Sequence, residues 1–304
     1  MQPDLPAAAR FMTTHARLVD RQRFDLATGR RGPAGALAAL AGYRNADGGY
    51  GWGLEPDLRS PESQPVGALH ALEIMAETGA PAGALADWLA SATLPDGGLP
   101  FALPVGEPAG SMPLWVQADP TESCLHLSTA IVAMAHQVAR HDPALRAHRW
   151  LATATDYCWR EVRALRDSGG TYQLMHVLWF LDAVHEVLPG AAAELRRVAA
   201  WLPRDAVLPV EGGIEGEKMH PLDFAPRPDG ALRELIGRAV IARDLDRLAG
   251  QQRSDGGWDV DFAAQTDAGA LEWRGYATVN AVKQLLASST STRRLATEDV
   301  PVAR

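Results

Sequence analysis

Polar residues four positions apart stand near the starts of three apolar segments. They are Glu122 with His126, Tyr172 with His176, and Glu272 with Tyr276 and Asn280. Residues at this spacing share one face of an α-helix. Carboxylates and imidazoles so placed can exchange protons with a substrate, which predicts Glu122 and Glu272 as acid or base and His126 and His176 as proton relays. The alternative is that both glutamates cap neighbouring helices and both histidines are hydrogen-bonded core residues.

A proline-rich stretch, residues 53–65, holds a second set of ionisable side chains. Glu55, Asp57 and Arg59 alternate there between prolines that restrict the backbone. Asp57 is a candidate acid or base, and Glu55 and Arg59 are candidate ligand-orienting residues. An internal ion pair that locks the loop is the competing interpretation.

Tryptophan outnumbers phenylalanine in this chain, nine to six. Trp52, Trp179 and Trp273 lie beside predicted turns or inner helices, where aromatic faces can line a ligand cavity and stabilise cations. Tyr172, Tyr276 and Asn280 complete the predicted ligand-binding set. Asp259 is a further candidate acid.

Alanine- and leucine-rich segments with helical periodicity must position these residues. Helices are predicted at 6–22, 34–44, 64–78, 82–91, 121–140, 144–166, 171–188, 191–202, 231–251 and 272–287. Residues 232–248 carry an apolar stripe on one face, whereas residues 123–135 and 171–184 are apolar nearly all round. The chain therefore alternates outer, amphipathic helices with inner, enclosed ones.

Asp-Gly-Gly recurs between the predicted helices, in RNADGGYGW (44–52), LPDGGLPF (94–101) and QRSDGGW (252–258). A glycine pair ends a helix readily because glycine adopts positive φ. Each repeat is thus helix, glycine turn, helix. A ring of such hairpins, an α/α toroid, would place the long connections 45–63, 92–120 and 203–230 at one end and the inner-helix starts around a central cavity.

The segment Gln252 to Trp258 resembles the Gln-x-x-Asp-Gly-Gly-Trp repeat of squalene and terpene cyclases and of the related protein prenyltransferase β subunits. Residues 44–50 are a near match. The resemblance implies an α/α toroid of five or six helical hairpins around an apolar cavity for an isoprenoid-like ligand. It also implies that Gln252, Asp255 and Trp258 brace neighbouring helices rather than catalyse.

The chain departs from the motifs by which these families react. It contains no Asp-x-Asp-Asp acid and no Asp-Asp-x-x-Asp magnesium motif. The prenyltransferase Asp-x-Cys spacing occurs at Asp156 to Cys158, inside a predicted outer helix, and Glu122 to Cys124 opens an inner one. No metal and no cofactor are predicted, because a lone cysteine is more often a small buried apolar residue than a ligand. The alternative is zinc held by Glu122, Cys124 and His176.

Composition excludes several classes of protein. The chain has 304 residues and a net charge of −8, with no long Lys/Arg run, which excludes the basic surface typical of nucleic-acid binders. No segment is apolar and long enough to cross a membrane, and no signal-peptide pattern opens the chain, so a cytoplasmic protein is expected. Residues 1–287 are predicted to form one toroidal domain and 288–304 a flexible tail.

The sequence therefore predicts an all-α toroid that binds a hydrophobic small molecule and catalyses acid–base cyclisation, isomerisation or transfer. Three rivals remain open at this point. One is a non-catalytic binder that sequesters its ligand, another is a carbohydrate-active toroid with paired carboxylates, and the third is a scaffold that contacts a partner protein. The oligomeric state stays open, a homodimer included.

Overall fold

The computed structural model describes residues 2–298, with side chains described to residue 288. Among the described residues, the helices and strands comprise α-helices and one two-stranded antiparallel sheet, and turns and loops connect them. The elements are α1 (Leu5–His15), α2 (Leu18–Ala27), α3 (Ala34–Ala41), α4 (Pro65–Thr78), α5 (Gly83–Ala92), α6 (Pro113–Val116), α7 (Leu125–Ala139), α8 (Pro143–Arg146), α9 (Arg149–Ala164), α10 (Thr171–Val184), α11 (Ala191–Ala199), β1 (Leu208–Pro209), β2 (Lys218–Met219), α12 (Pro221–Phe224), α13 (Ala231–Ile236), α14 (Arg238–Gly250) and α15 (Asp267–Glu298). The predicted all-α class is confirmed.

The three most enclosed helices pack side by side in the order α4, α7, α10. Most of their residues are apolar and buried, so packing is favoured on most of their faces. Further contacts lead from α10 through α12 and α14 to α15, and from α15 through α2 and α3 back to α4. The helices thus form a closed series of neighbours.

The three Asp-Gly-Gly turns have one hydrogen-bond pattern. In each, the aspartate side chain accepts a hydrogen bond from the backbone N–H of the second glycine, at 2.9–3.0 Å. The aspartates are Asp47, Asp96 and Asp255. The recurrence in sequence therefore marks a recurrent local structure.

Both glycines of each turn are required by geometry. The first one, Gly48, Gly97 or Gly256, has φ between +94° and +99°, which side chains with a Cβ rarely adopt. A Cβ on the second would lie under 3.0 Å from a packed side chain, that of Trp88 at Gly49 for example. Glycine is thus needed for conformation at one position and for space at the next.

The last turn ties the segment before α1 to the segment between α14 and α15. Gln252 donates from its side-chain amide to the carbonyl of Asp4 and accepts from the Asp4 backbone N–H, at 2.9 and 2.8 Å. Trp258 is buried among residues of α1, α14 and α15, and its indole donates to the carbonyl of Leu248. These contacts brace α1 against α14 and α15, next to the start of α2.

Several helix bounds differ from those predicted. The 6–22 prediction splits because Ala16 and Arg17 are extended, and the 231–251 prediction splits at Gly237, whose φ is +95°. The last helix begins at Asp267 and continues to Glu298, past the predicted end at residue 287. Residues 299–304 of the predicted tail lie outside the described residues. Within residues 2–298, every helix is too short or too polar to cross a bilayer.

Candidate functional site

Six aromatic and imidazole rings form a continuous row at the starts of α7 and α10. They are Phe101, Trp115, His126, Tyr172, His176 and Trp179, which we call the ring row. The two helices supply four of them, and the connection between α5 and α7 supplies Phe101 and Trp115. His176 is buried, whereas the other five rings are half-buried. Part of the row therefore remains open to a molecule from outside.

Stacking fixes the order of the rings. Trp115 lies parallel to Phe101 with centroids 4.1 Å apart, and His126 lies over His176 at 4.6 Å. Tyr172 is also nearly parallel to His126, at 5.9 Å. Residues 172 and 176 are four apart on α10, so their side chains share a face, as predicted.

The two histidines of the row are neutral at pH 7. Burial lowers the pKa of His126 to about 4 and holds that of His176 well below its ordinary value, where the neighbouring His126 adds to the effect. The Nδ1 atom of His176 is buried and has no hydrogen-bond partner. Leaving such an atom unpaired costs about 1–3 kcal/mol, so a hydrogen bond from a bound molecule would be favourable here.

Two acidic residues contact the part of the row that lies on α10, one through its carboxylate and one through its backbone. The Tyr172 hydroxyl donates to Glu217 at 3.0 Å, and the Trp179 indole donates to the backbone carbonyl of Asp223 at 2.8 Å. Burial raises the pKa of Asp223 to about 6, against the lowering effect of a hydrogen bond from the His220 backbone. A carboxyl that titrates near neutrality can both donate and accept a proton.

A second group of ionisable side chains lies among α2, α4 and the loop before α4. It comprises Arg23, Glu55, His70, Glu73 and Glu77, which we call the charged cluster. The His70 ring lies between Glu55, 3.0 Å from Nε2, and Glu73, 3.2 Å from Nδ1. Although burial alone lowers the pKa of His70, the charge of Glu73 and hydrogen bonds to both glutamates raise it to about 9.

The rest of the charged cluster is equally well paired. Arg23 donates two hydrogen bonds to Glu77, at 2.9 and 2.8 Å, and Lys283 pairs with the same carboxylate. Burial opposes ionisation of Glu77, but Arg23 and Lys283 outweigh it and lower its pKa to about 2. Each charge in this cluster thus faces an opposite charge within the chain.

The loop that carries Glu55, Asp57 and Arg59 is locked by internal bonds. Asp57 accepts from the Trp273 indole at 2.8 Å and from the backbone N–H of Gln265 at 3.0 Å. Burial raises the pKa of Asp57 against these two bonds. Arg59 donates two hydrogen bonds to Glu272, at 2.8 and 3.2 Å. These contacts therefore favour the interpretation in which an internal ion pair locks the loop.

The remaining predicted site residues lie outside the ring row. Tyr276 donates to Glu73 at 2.8 Å and also bonds Asn280. Asp259 is exposed and pairs with Arg253 and Arg274. Trp52 is 58% exposed, and its indole donates to Asn45.

Glu122 does not share a helix face with His126. Helix α7 begins at Leu125, because Asp119 accepts from both the backbone N–H and the hydroxyl of Thr121 and holds this segment in a turn. Glu122 is exposed in that turn. The pairing predicted from the four-residue spacing is therefore wrong at this helix.

No group of three His, Cys, Asp or Glu side chains in the described residues is arranged to hold a metal ion. Burial raises the pKa of Cys124 and that of Cys158, so both thiols are protonated at pH 7. The described geometry gives the zinc alternative no ligand set.

Two cavities open on the surface, of about 320 and 210 Å³. The first is lined by Arg166, Asp167, Ser168, Thr171, Leu174, Trp201, Leu208 and Glu211. The second is lined by residues of α1 and α2 and the turn that follows. Neither is a central apolar cavity, and neither includes a residue of the ring row or the charged cluster.

Sequence reasoning missed part of both groups. His70 and Glu73 show a usable signal, an i,i+3 polar pair inside an otherwise apolar helix. Arg23 shows none, since its partner Glu77 is 54 positions away. Phe101, Trp115 and Glu217 lie outside the long helices, where no periodicity orders the side chains.

Comparisons with known proteins bear on the fold alone. No protein-family model matches the chain, and no curated protein is found similar to it. A crystal structure of a protein from Actinoplanes superposes with a TM-score of 0.56, over 94% of this chain and 98% of that one. The two sequences are 13% identical, a level at which likeness extends to the fold only.

Proposed function

We propose that the protein binds a hydrophobic, ring-containing small molecule against the ring row. In this proposal the helices form an α/α toroid, similar to that of the terpene cyclases and prenyltransferase β subunits, and α4, α7, α10 and α15 are inner helices. The closed series of helix contacts supports the toroid. In such a toroid the starts of α7 and α10, where the ring row lies, would face the centre.

One observation carries the proposal: a row of stacked, half-buried rings that includes a buried imidazole nitrogen without a partner. Flat apolar faces attract a flat or hydrocarbon ligand through surface burial and stacking. A polar group on that ligand would supply the hydrogen bond that His176 lacks. The neutral state of both histidines favours an uncharged or cationic ligand over an acidic one that needs imidazolium partners.

The charged cluster is less suited to bind a ligand. Glu55 lies 3.0 Å from the protonated ring of His70, so its charge already has a counter-charge within the chain. Arg23 is held by carboxylates in the same way. A ligand would have to displace these bonds and leave buried charges unpaired, which is costly.

Ligand-observed NMR with a neutral bicyclic probe, 2-naphthol, tests the proposal. Saturation transfer from the protein to the probe is expected in the natural protein, and His126→Leu should weaken binding by about tenfold because the central ring of the stack is lost. Trp52→Gly is the matched control, since it removes an exposed ring outside the row at a residue whose φ is +58°. Binding that is absent from the natural protein, or unchanged in His126→Leu, contradicts the proposal.

Acid–base catalysis on the bound molecule is the second candidate, and Asp223 favours it. Its backbone carbonyl accepts from Trp179, its charge helps to raise the pKa of Tyr172, and its carboxyl titrates near neutrality. A carbon-13 NMR titration of the carboxyl, assigned with Asp223→Asn, should give a midpoint near pH 6. A midpoint near 4, the ordinary value for aspartate, removes the argument for catalysis and leaves binding intact.

A further inference from the structure

Glu217 is a buried carboxylate without a basic partner. It is 7% exposed, and its oxygens accept hydrogen bonds from the Tyr172 hydroxyl and from the backbone N–H of Ile214, at 3.0 and 3.1 Å. Among the described residues, no Lys, Arg or His forms an ion pair with it. Buried Asp20, Asp182 and Asp244 each pair with an arginine, whereas buried Asp57 and Asp142 are held, like Glu217, by neutral donors. Of these last three carboxylates, Glu217 is the one bonded to the ring row. Burying a carboxylate with neutral donors alone is costly, and a nearby cation would offset that cost.

The rings beside Glu217 also lack a cation. Elsewhere in the described chain an arginine covers an aromatic face six times, and the covered rings are Phe11, Phe24, Tyr157, Trp159, Trp201 and Tyr276. No Arg or Lys in the described part of the chain lies over a ring of the ring row. Aromatic faces carry partial negative charge, so these faces remain available to attract a positive one.

The charges that act on the Tyr172 hydroxyl are negative. The pKa of Tyr172 is raised by burial first and then by the charges of Glu217, Asp223 and Glu55. Three carboxylates from three separate segments therefore act on one phenol. An anionic group placed here would be repelled by all of them.

We propose that the ligand carries an organic cation, a protonated or quaternary amine, held between the open ring faces and Glu217. This inference rests on the proposed function, because it names the charge of the molecule that the ring row binds. Carboxylates beside aromatic faces stabilise a diffuse cation by cation–π attraction and by charge. The unpartnered Nδ1 of His176, in a side chain that is 93% buried, is a second polar group in the same site.

A metal ion fits the site less well than an organic cation. A hard cation such as Ca²⁺ takes six to eight oxygen ligands, and Mg²⁺ takes six. The described residues offer no group of three ligating side chains. An alkylammonium head needs no such shell, since its charge is spread over a surface that rings can contact.

Three benzyl probes that differ only in the head group test the charge preference by calorimetry on the full chain. They are benzyltrimethylammonium, its uncharged carbon isostere neopentylbenzene, and the anion phenylmethanesulfonate. We expect the cation to bind about tenfold more tightly than the uncharged isostere and the anion to bind weakest. Equal affinity of all three overturns the cation proposal and leaves the proposed function standing. Absence of binding by all three overturns both.

Glu217→Gln identifies the counter-ion. The amide still offers an oxygen to Tyr172 but no charge, so affinity for benzyltrimethylammonium should fall about tenfold while affinity for neopentylbenzene stays unchanged. Glu215→Gln is the control, since it makes the same change in net charge at an exposed position of the same loop. Unchanged cation affinity in Glu217→Gln, or an equal loss in Glu215→Gln, overturns the role of Glu217. A Glu217→Gln variant that loses both probes shows that this carboxylate holds the loop in place and contradicts the proposal.

Discussion

His70 and His176 occupy equivalent positions, each the sixth residue of an apolar helix, yet their surroundings are opposite. His70 lies between two carboxylates and carries a proton, whereas His176 lies against another neutral imidazole and an indole. The first histidine has a partner at each ring nitrogen. The second has an unpaired one. Helix position and residue type therefore do not distinguish a structural histidine from one that is available to a ligand. The hydrogen-bond partners of the ring nitrogens do distinguish them.

The same contrast extends to the groups around each histidine. In the charged cluster, acids and bases neutralise one another inside the chain, which makes each one necessary to the others. At the ring row, Glu217 and the ring faces have no basic partner among the described residues. Damage to the cluster should therefore appear as lost stability, and damage to the row as lost binding.

The largest expected effect is that of Arg23→Met, which would remove both hydrogen bonds from Arg23 to Glu77 and leave that buried carboxylate with the partly exposed Lys283 as its cation. Removing one partner of a buried ion pair costs about 3–5 kcal/mol. Denaturant unfolding measures this loss. Arg31→Met is the control, with an expected loss below about 0.5 kcal/mol, because Arg31 is 69% exposed. A loss below about 1 kcal/mol for Arg23→Met would break the distinction between the two regions.

The second effect is the alkaline loss of stability that His70 contributes. Because its folded pKa of about 9 lies above the ordinary 6.5, its contribution is complete below pH 6.5 and is lost as pH rises through 9. The shift corresponds to about 3 kcal/mol. Unfolding measured from pH 6 to 9.5 should show this decline in the natural protein and a smaller one in His70→Gln. Equal slopes in the two proteins would mean that His70 is neutral.

His126 should act in the opposite direction, with a smaller effect. Its folded pKa of about 4 lies below the ordinary 6.5, so the unfolded chain binds its proton first and stability falls as pH drops from 6.5 towards 4. The contribution is about 1 kcal/mol, since the ring is partly exposed to solvent. His126→Phe should reduce the acid loss by this amount in unfolding measured between pH 6.5 and 4. If stability falls equally in acid in His126→Phe, then other groups, such as His136, cause the acid loss of stability.

The smallest expected change in stability follows Trp115→Ala. The parallel stack on Phe101 is half-buried, and such a pair contributes about 0.5–1.5 kcal/mol beyond burial. Affinity for 2-naphthol should nevertheless fall several-fold, as measured by NMR titration. A large loss of stability with unchanged affinity would place Trp115 among the structural residues.

The local turns could be predicted from the sequence because glycine and aspartate determine their geometry nearby. Asp47, Asp96 and Asp255 each bond to the residue two positions on, so a short motif contains the whole interaction. The all-α class follows from periodicity for the same reason. Helix starts were less predictable, as Glu122 shows, since a turn at Asp119 competed with the helix.

Half of the candidate site could be predicted and half could not. Four of its rings lie on helices that periodicity predicts: His126 on α7, and Tyr172, His176 and Trp179 on α10. Glu217 and Phe101 come from connections, and only the folded chain places them beside Tyr172 and His126. The pairing of Arg23 with Glu77 depends on distant segments, so the charged cluster could not be separated from the ring row before the structure was known.

Nitrogen-15 NMR of the histidine rings tests the contrast most directly, because one spectrum reports both regions. With signals assigned by single His→Gln variants, His70 should show two protonated ring nitrogens at pH 7, and His126 and His176 should show neutral rings. Adding benzyltrimethylammonium or 2-naphthol should shift the signals of His126 and His176 and leave those of His70 in place. If the probe shifts the His70 signals, or if a saturating probe leaves the His126 and His176 signals in place, the ring row is not the binding site.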